Sequence, residues 1–339
     1  MSDERYSDKR LEDDFTVYLM FEEPLEFASR EVLDAVTEDF PHMAGWRESV
    51  TDPFQVKTTA EPVLGILEHA GIGDASTGRD RRMLMTGRPG PLDLDFETMF
   101  RRAITFPEAR EAVARHRSHL CVSIKATGAD LAARFVAARD LNCLTAVFAK
   151  LPICTAVYFP AGDVIARPEA WVRAAERASV DEWPLDTWIS YELTPIRTGA
   201  PKPCFSCATI GMAAFNGHEA HFMPAPVEPA DAWSWAHGAT WLLLAGGNVF
   251  TDGDTAGVDG GEDKMRLRHV AEGREAAPGF CPQTDTWLLF HPDCPFDDVE
   301  MLGPRANSPP PPGTDNLMHP EPGFLSRILG RGRGGAHPH

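Results

Sequence analysis

Apolar runs alternate with charged and glycine-rich stretches along the chain, and their periods predict interleaved strands and helices. Phe15–Phe21 (FTVYLMF) is almost continuously apolar, which predicts a strand covered on both faces. Ser29–Phe40 carries Val32, Leu33 and Val36 on one helical stripe, with Ser29 as its N-cap and Pro41 as its stop. Gly71–Asp80 reads as a loop, Arg82–Thr86 as a strand and Asp93–Arg102 as a short helix. A βαβ-like run follows. Pro107–Arg115 is helical, His119–Lys125 a strand, Ala129–Lys150 a long helix and Ala156–Phe159 a strand. The long helix turns apolar nearly all round in its second half, which predicts deep burial there. Pro168–Ala178 is a further helix with its proline in the first turn.

The second half of the chain reads differently. Leu185–Leu193 alternates like a strand. Ala208–Ala214 and Ala220–Phe222 predict a hairpin about the turn dipeptide Asn216-Gly217. Pro229–Ala245 is a helix stopped by Gly246-Gly247, and Met265–Val270 and Thr286–Phe290 are strands. This mixture predicts an α+β fold, with a mixed, partly antiparallel α/β sheet and packed helices. Met1–Asp14 is a charged arm expected to be disordered, and Ser308-Pro-Pro-Pro-Pro-Gly313 marks a linker. The organisation expected is an arm over 1–14, an N-terminal α/β half over 15–180, a C-terminal half over 181–302, and a Pro-rich linker with a short basic amphipathic tail over 303–339.

Composition narrows the classes of function. The chain has 339 residues, long enough for two domains and for a core that needs no disulfide or metal staple. Fifty acidic residues against 32 basic ones give a net charge of −18, which disfavours nucleic acid and suits a basic protein partner. The seven cysteines are odd in number and several lie in apolar runs, as in a reducing compartment. No apolar run approaches the ~20 residues of a membrane helix, and Met1–Asp14 lacks the apolar stretch of a signal peptide. A cytoplasmic protein is expected.

Several constellations invite a chemical reading. Asp252, Asp254, Asp259, Glu262 and Asp263 crowd a glycine-rich loop, where carboxylates can wrap a cation. An EF-hand register starting at Asp252 matches in part, with Ala256 at the fifth position and Asp263 at the twelfth. The plainer reading is a turn in which Asp side chains cap amides. His218-Glu219-Ala-His221 sets two imidazoles about a carboxylate, but on a strand they face opposite sides. Cys204-Phe-Ser-Cys207 lacks the second pair of a zinc ribbon and reads by default as buried thiols. His116 ends a helix, where a cation meets the negative dipole end. Trp183, Trp188, Trp233 and Trp235 read as core or interface. No phosphate-binding glycine loop and no Gly-x-Ser-x-Gly elbow occurs.

Thr209-Ile-Gly-Met212, the Phe215-Asn-Gly-His-Glu219 turn, the helix after it and the Asp252-Gly-Asp-Thr255 loop form an ordered set. With Ala109–Val122 and Asp186–Tyr191 upstream, it resembles the bacterial family called domain of unknown function 4261. The resemblance spans roughly Phe15 to Phe290 and implies a cytoplasmic or effector-associated bacterial protein. It carries over no catalytic residues.

Two functions follow as expectations. The first is a non-enzymatic interaction protein, immunity-like in its acidity, with no cofactor. Its tail would be an accessory contact: Phe324, Ile328 and Leu329 at helical spacing beside Arg327 and Arg331 suit weak docking to an anionic surface or groove. The second is a metal-dependent hydrolase whose site gathers His218, Glu219, Asp252 and Asp254, with His221 as a further candidate.

Overall fold

The apolar run near the start of the chain forms β1 (Asp14–Phe21), an interior strand of a seven-stranded sheet. The computed structural model describes residues 14–48, 63–69, 81–125, 130–196, 202–245, 250–256, 265–273 and 282–294. Its described residues divide into two compact units. The first takes those up to Ser190 together with Ile210–Gly217; the second takes Tyr191–Thr209 and those from His218 on. The boundary therefore falls about ten residues after the expected 180/181, and a short later segment rejoins the first unit.

In the first unit β1 is flanked by β5 (Ser118–Lys125) and β6 (Cys154–Phe159). β4 (Arg81–Pro89), β3 (Val63–His69) and β2 (Trp46–Glu48) continue beyond β5, and β7 (Val164–Ala166) closes the other edge. Every neighbouring pair is antiparallel. The βαβ-like run is thus split. β5 and β6 run parallel to each other, but β1 lies between them and pairs with both. Phe15, Val17, Leu19 and Met20 are all fully buried, as the unbroken apolar run requires.

Helices cover both faces of this sheet. Met20 of β1 and Ala156 and Tyr158 of β6 pack with α2 (Glu97–Arg102) and α3 (Ala109–Arg115) through Phe96, Met99 and Val113. α4 (Leu131–Ala149) packs on β1 and against α1 (Ser29–Asp39) and α5 (Pro168–Ala178). Its second half is buried all round, as expected, and its polar groups are satisfied internally. The Trp188 indole donates to Asn142 Oδ1 at 3.1 Å, and Asn142 Nδ2 donates to the Trp171 carbonyl at 3.2 Å. The Trp171 indole donates to Thr145 Oγ1 at 2.8 Å.

Three local expectations change. Leu185–Leu193 is not one strand: Leu185–Trp188 winds into the short helix α6 after Pro184, and β8 (Ser190–Ile196) starts after it. Burying Leu185, Thr187 and Trp188 together outweighs the alternation. Ala28, not Ser29, holds the N-cap position of α1, without a side-chain cap. Asn216-Gly217 is not a two-residue hairpin turn. β9 (Cys204–Ile210) and β10 (Glu219–Ala225) do pair antiparallel, but Gly211 and the helical turn α7 (Ala213–Asn216) join them, with left-handed Gly217 as its C-cap.

That joining segment plugs into the first unit. Phe215 is fully buried, 5.6 Å from the Trp188 ring at an interplanar angle of 10°, with Phe15 at 5.2 Å and Trp183 at 5.3 Å. Arg134 Nε donates to the Ala214 carbonyl, and its guanidinium lies 5.3 Å from the Phe15 ring. Gly211 sits against the backbone of Ala161 and Gly162.

The second unit holds a six-stranded sheet. β11 (Thr255–Ala256), β12 (Met265–Val270) and β13 (Thr286–Phe290) lead to β10, β9 and β8 in that order. β10 and β13 are parallel, whereas β9–β10, β11–β12 and β12–β13 are antiparallel. α8 (Pro229–Ala245) packs on β10. β12, β13 and α8 have the bounds their patterns predict. One mixed and one antiparallel sheet with eight α-helices among the described residues make the fold α+β. Gly71–Asp80, Gly246-Gly247 and the two termini lie outside the described residues.

Candidate metal centre

Register at one end of the second sheet brings side chains from three segments together. Ala220 of β10 pairs with Trp287 of β13, and Trp287 pairs with His269 of β12. Paired residues share a sheet face. His218 and Asp285 stand just before β10 and β13, at the same end. One ligand atom from each of His218, His269 and Asp285 lies within 4.8 Å of the other two. The imidazole rings are 5.2 Å apart and nearly perpendicular.

The carboxylate and one of the histidines are held by main-chain hydrogen bonds. Asp285 Oδ1 accepts the Glu272 N–H at 2.8 Å. Its Oδ2 lies 3.9 Å from His269 Nε2, too far for a hydrogen bond. That nitrogen is buried and has no hydrogen-bond partner among the described residues. Asp252 Oδ1 accepts the His269 backbone N–H at 2.9 Å and so pins the strand end that carries the imidazole. The Trp287 ring walls the group, 5.1 Å from the His269 ring and 6.3 Å from that of His218.

Burial holds the His218 imidazole below its ordinary pKa, and the nearby His269 adds to this; the Asp285 carboxylate opposes it. The neutral ring keeps the lone pair that ligation needs. Two nitrogens and one carboxylate suit zinc or a similar transition metal better than calcium or magnesium, which prefer all-oxygen shells. His269 and Asp285 keep 31% and 40% of their side-chain surface exposed, although the His269 Nε2 atom itself is buried. Three protein ligands leave a coordination position for water.

Of the five metal candidates expected from the sequence, only His218 joins this group. The Glu219 carboxylate accepts the Thr209 hydroxyl at 2.6 Å. His221 alternates to the other face of β10, opposite Leu288. Asp252 and Asp254 cap a turn: Asp254 Oδ2 accepts the Thr251 N–H at 2.7 Å, and Gly253 takes φ +90°. The Asp252 loop therefore holds the strand end that carries His269. The rest of the EF-hand register, from Gly257 to Asp263, lies outside the described residues, as do Phe324, Arg327, Ile328, Leu329 and Arg331.

Other candidates resolve as architecture. Cys204 and Cys207 are buried on β9, where residues three apart face opposite sides, and burial pushes the Cys207 thiol far up. His116 Nε2 accepts the Leu92 N–H at 2.7 Å, and burial lowers its pKa. It is a neutral pin between two segments rather than a cation on a helix dipole. Trp183 and Trp188 join the aromatic core of the first unit.

Burial also holds His221 down to about 4. Above its ordinary pKa near 6.5 the ring is neutral folded or unfolded. Below that the unfolded chain takes a proton that the folded one refuses until pH 4. Stability of the second unit is therefore expected to fall between pH 6.5 and 4, by at most about 3 kcal/mol because the residue keeps some solvent contact. Urea midpoints at pH 7 and 4.5 measure this; an equal acid loss in His221→Gln would refute it.

His269 and Asp285 escaped the sequence reading. One ends a strand pattern, the other precedes one, and neither belongs to a motif. Comparison with known proteins finds no matching family model, no matching curated protein and no matching solved structure. No described helix is long and apolar enough to cross a membrane.

Proposed function

We propose that the second unit binds one divalent transition-metal ion through His218, His269 and Asp285, and that the bound ion activates water for hydrolysis. The convergence of the three ligand atoms within 4.8 Å carries the reading. A bound zinc ion lowers the pKa of its water towards neutrality, making hydroxide available at neutral pH. This keeps the hydrolase expectation but moves its ligands from Glu219, Asp252 and Asp254 to His269 and Asp285. The interaction role suited to an acidic surface has no comparable cluster behind it among the described residues.

Elemental analysis of the protein dialysed against zinc tests the proposal. About one ion per chain is expected. His269→Ala and His218→Ala should each lose more than about 100-fold in affinity, since even supporting residues are worth 10–100-fold. Wild-type protein that takes up no metal, or variants that bind as tightly, would refute it. Zinc-dependent cleavage of an activated ester, absent in His269→Ala, tests the hydrolytic part separately.

A further inference from the structure

Trp171, Trp188 and Trp287 all have enclosed rings, and they differ in one respect. Those of Trp171 and Trp188 donate to Thr145 and Asn142. Trp287 is 5% exposed, yet its indole N–H has no hydrogen-bond partner among the described residues. A buried donor left unsatisfied costs about 1–3 kcal/mol, so an acceptor supplied from beyond the described residues would be gained at this place. The ring packs against both imidazoles of the metal centre, and His269 Nε2 is a second buried atom without a hydrogen-bond partner among the described residues.

A metal ion answers only one of these two vacancies. It takes the lone pair of the His269 nitrogen, but a cation accepts no hydrogen bond from an indole. An oxygen acceptor seated beside the ion would answer the other, since the Trp287 ring lies against both imidazoles. We infer that the centre takes an oxyanion, a carboxylate or phosphate oxygen, which ligates the metal and accepts the Trp287 N–H. The inference rests on the metal reading above and names the class of substrate or product the centre holds. The positive ion supplies the charge complementarity that the acidic chain lacks, and the indole supplies direction.

Cobalt in place of zinc makes the centre visible. Cobalt-loaded wild-type protein is titrated with acetate and with inorganic phosphate, and the absorption of the ion is followed. A saturable shift with either anion supports the inference, and the tighter one identifies the class. Trp287→Phe keeps the ring and removes only the donor. It should retain the cobalt spectrum and bind the anion about tenfold more weakly, the effect of 1.4 kcal/mol. In the isotope-labelled zinc form the Trp287 indole proton should move on anion addition, which tests the contact without a variant. A cobalt spectrum that neither anion alters, or an unmoved indole proton, overturns the inference and leaves the metal reading standing. Failure to bind cobalt at all overturns both.

Discussion

Alanine at Gly211 is expected to destabilise the first unit by about 4 kcal/mol, a large share of the 5–15 kcal/mol that holds a typical domain. Two costs combine. Gly211 has φ +101°, where an L side chain is strained by about 1–3 kcal/mol. A Cβ there would also stand 2.3 Å from Gly162 Cα and 2.5 Å from the Ala161 carbonyl oxygen. Both contacts are with backbone, so no rotamer change relieves them, and overpacking of this kind adds about 1–3 kcal/mol. Gly162 cannot retreat, because a Cβ on it would already meet the Trp188 carbonyl oxygen at 2.1 Å. Gly90 separates the two terms. It has φ +107° with nothing near its missing side chain. Gly90→Ala should cost only the strain, about 1–2 kcal/mol. Urea denaturation of the two variants measures both, and equal losses would show that the close approach contributes nothing.

Zinc at about a thousandfold its dissociation constant should stabilise the second sheet by about 4 kcal/mol, because the ion binds the folded arrangement and not the unfolded chain. The ligands come from segments far apart in sequence, so unfolding disperses them. Hydrogen exchange should slow at the amides of β10, β12 and β13 when zinc is added, and not in His269→Ala. Acid should reverse the effect as protons compete for the imidazoles. For His218, whose folded pKa lies below 6.5, that competition starts lower than for a free histidine. Exchange rates indifferent to zinc in the wild type would remove the proposed centre.

The two effects give separate meaning to the motifs of the Thr209–Glu219 stretch. Gly211 permits a close approach of backbones, Phe215 fills an aromatic socket, and Gly217 ends a helical turn. These are structural duties. The one residue of the stretch with a chemical prospect is His218, and its chemistry depends on residues the stretch does not contain.

Much of the fold is legible in the chain alone. The apolar run of β1 announced a strand buried on both faces, the all-round apolarity of α4 announced its depth, and β12, β13 and α8 lie where their periods put them. These are local properties: burial of a whole segment writes itself into consecutive residues, and propensity and period act over a few turns. The Asp252 turn was legible for the same reason, since Asp and Gly shape backbone within four residues. Leu185–Trp188 misled because a four-residue helix and a strand can bury the same alternating side chains, and packing against Phe135 and Phe215 decided between them.

The sequence by itself determined most of the longer elements and the α+β class, and it read Cys204 and Cys207 by default as buried thiols. The tertiary structure alone decided the rest. It placed β1 between the two strands of an apparent βαβ unit, returned Ile210–Gly217 to the first unit, and set His218, His269 and Asp285 at one sheet end. The physical reason is that strand pairing joins residues by register across the sheet, not by separation along the chain. No local pattern records which strand will lie alongside which. A ligand set drawn from three strand ends therefore leaves no motif.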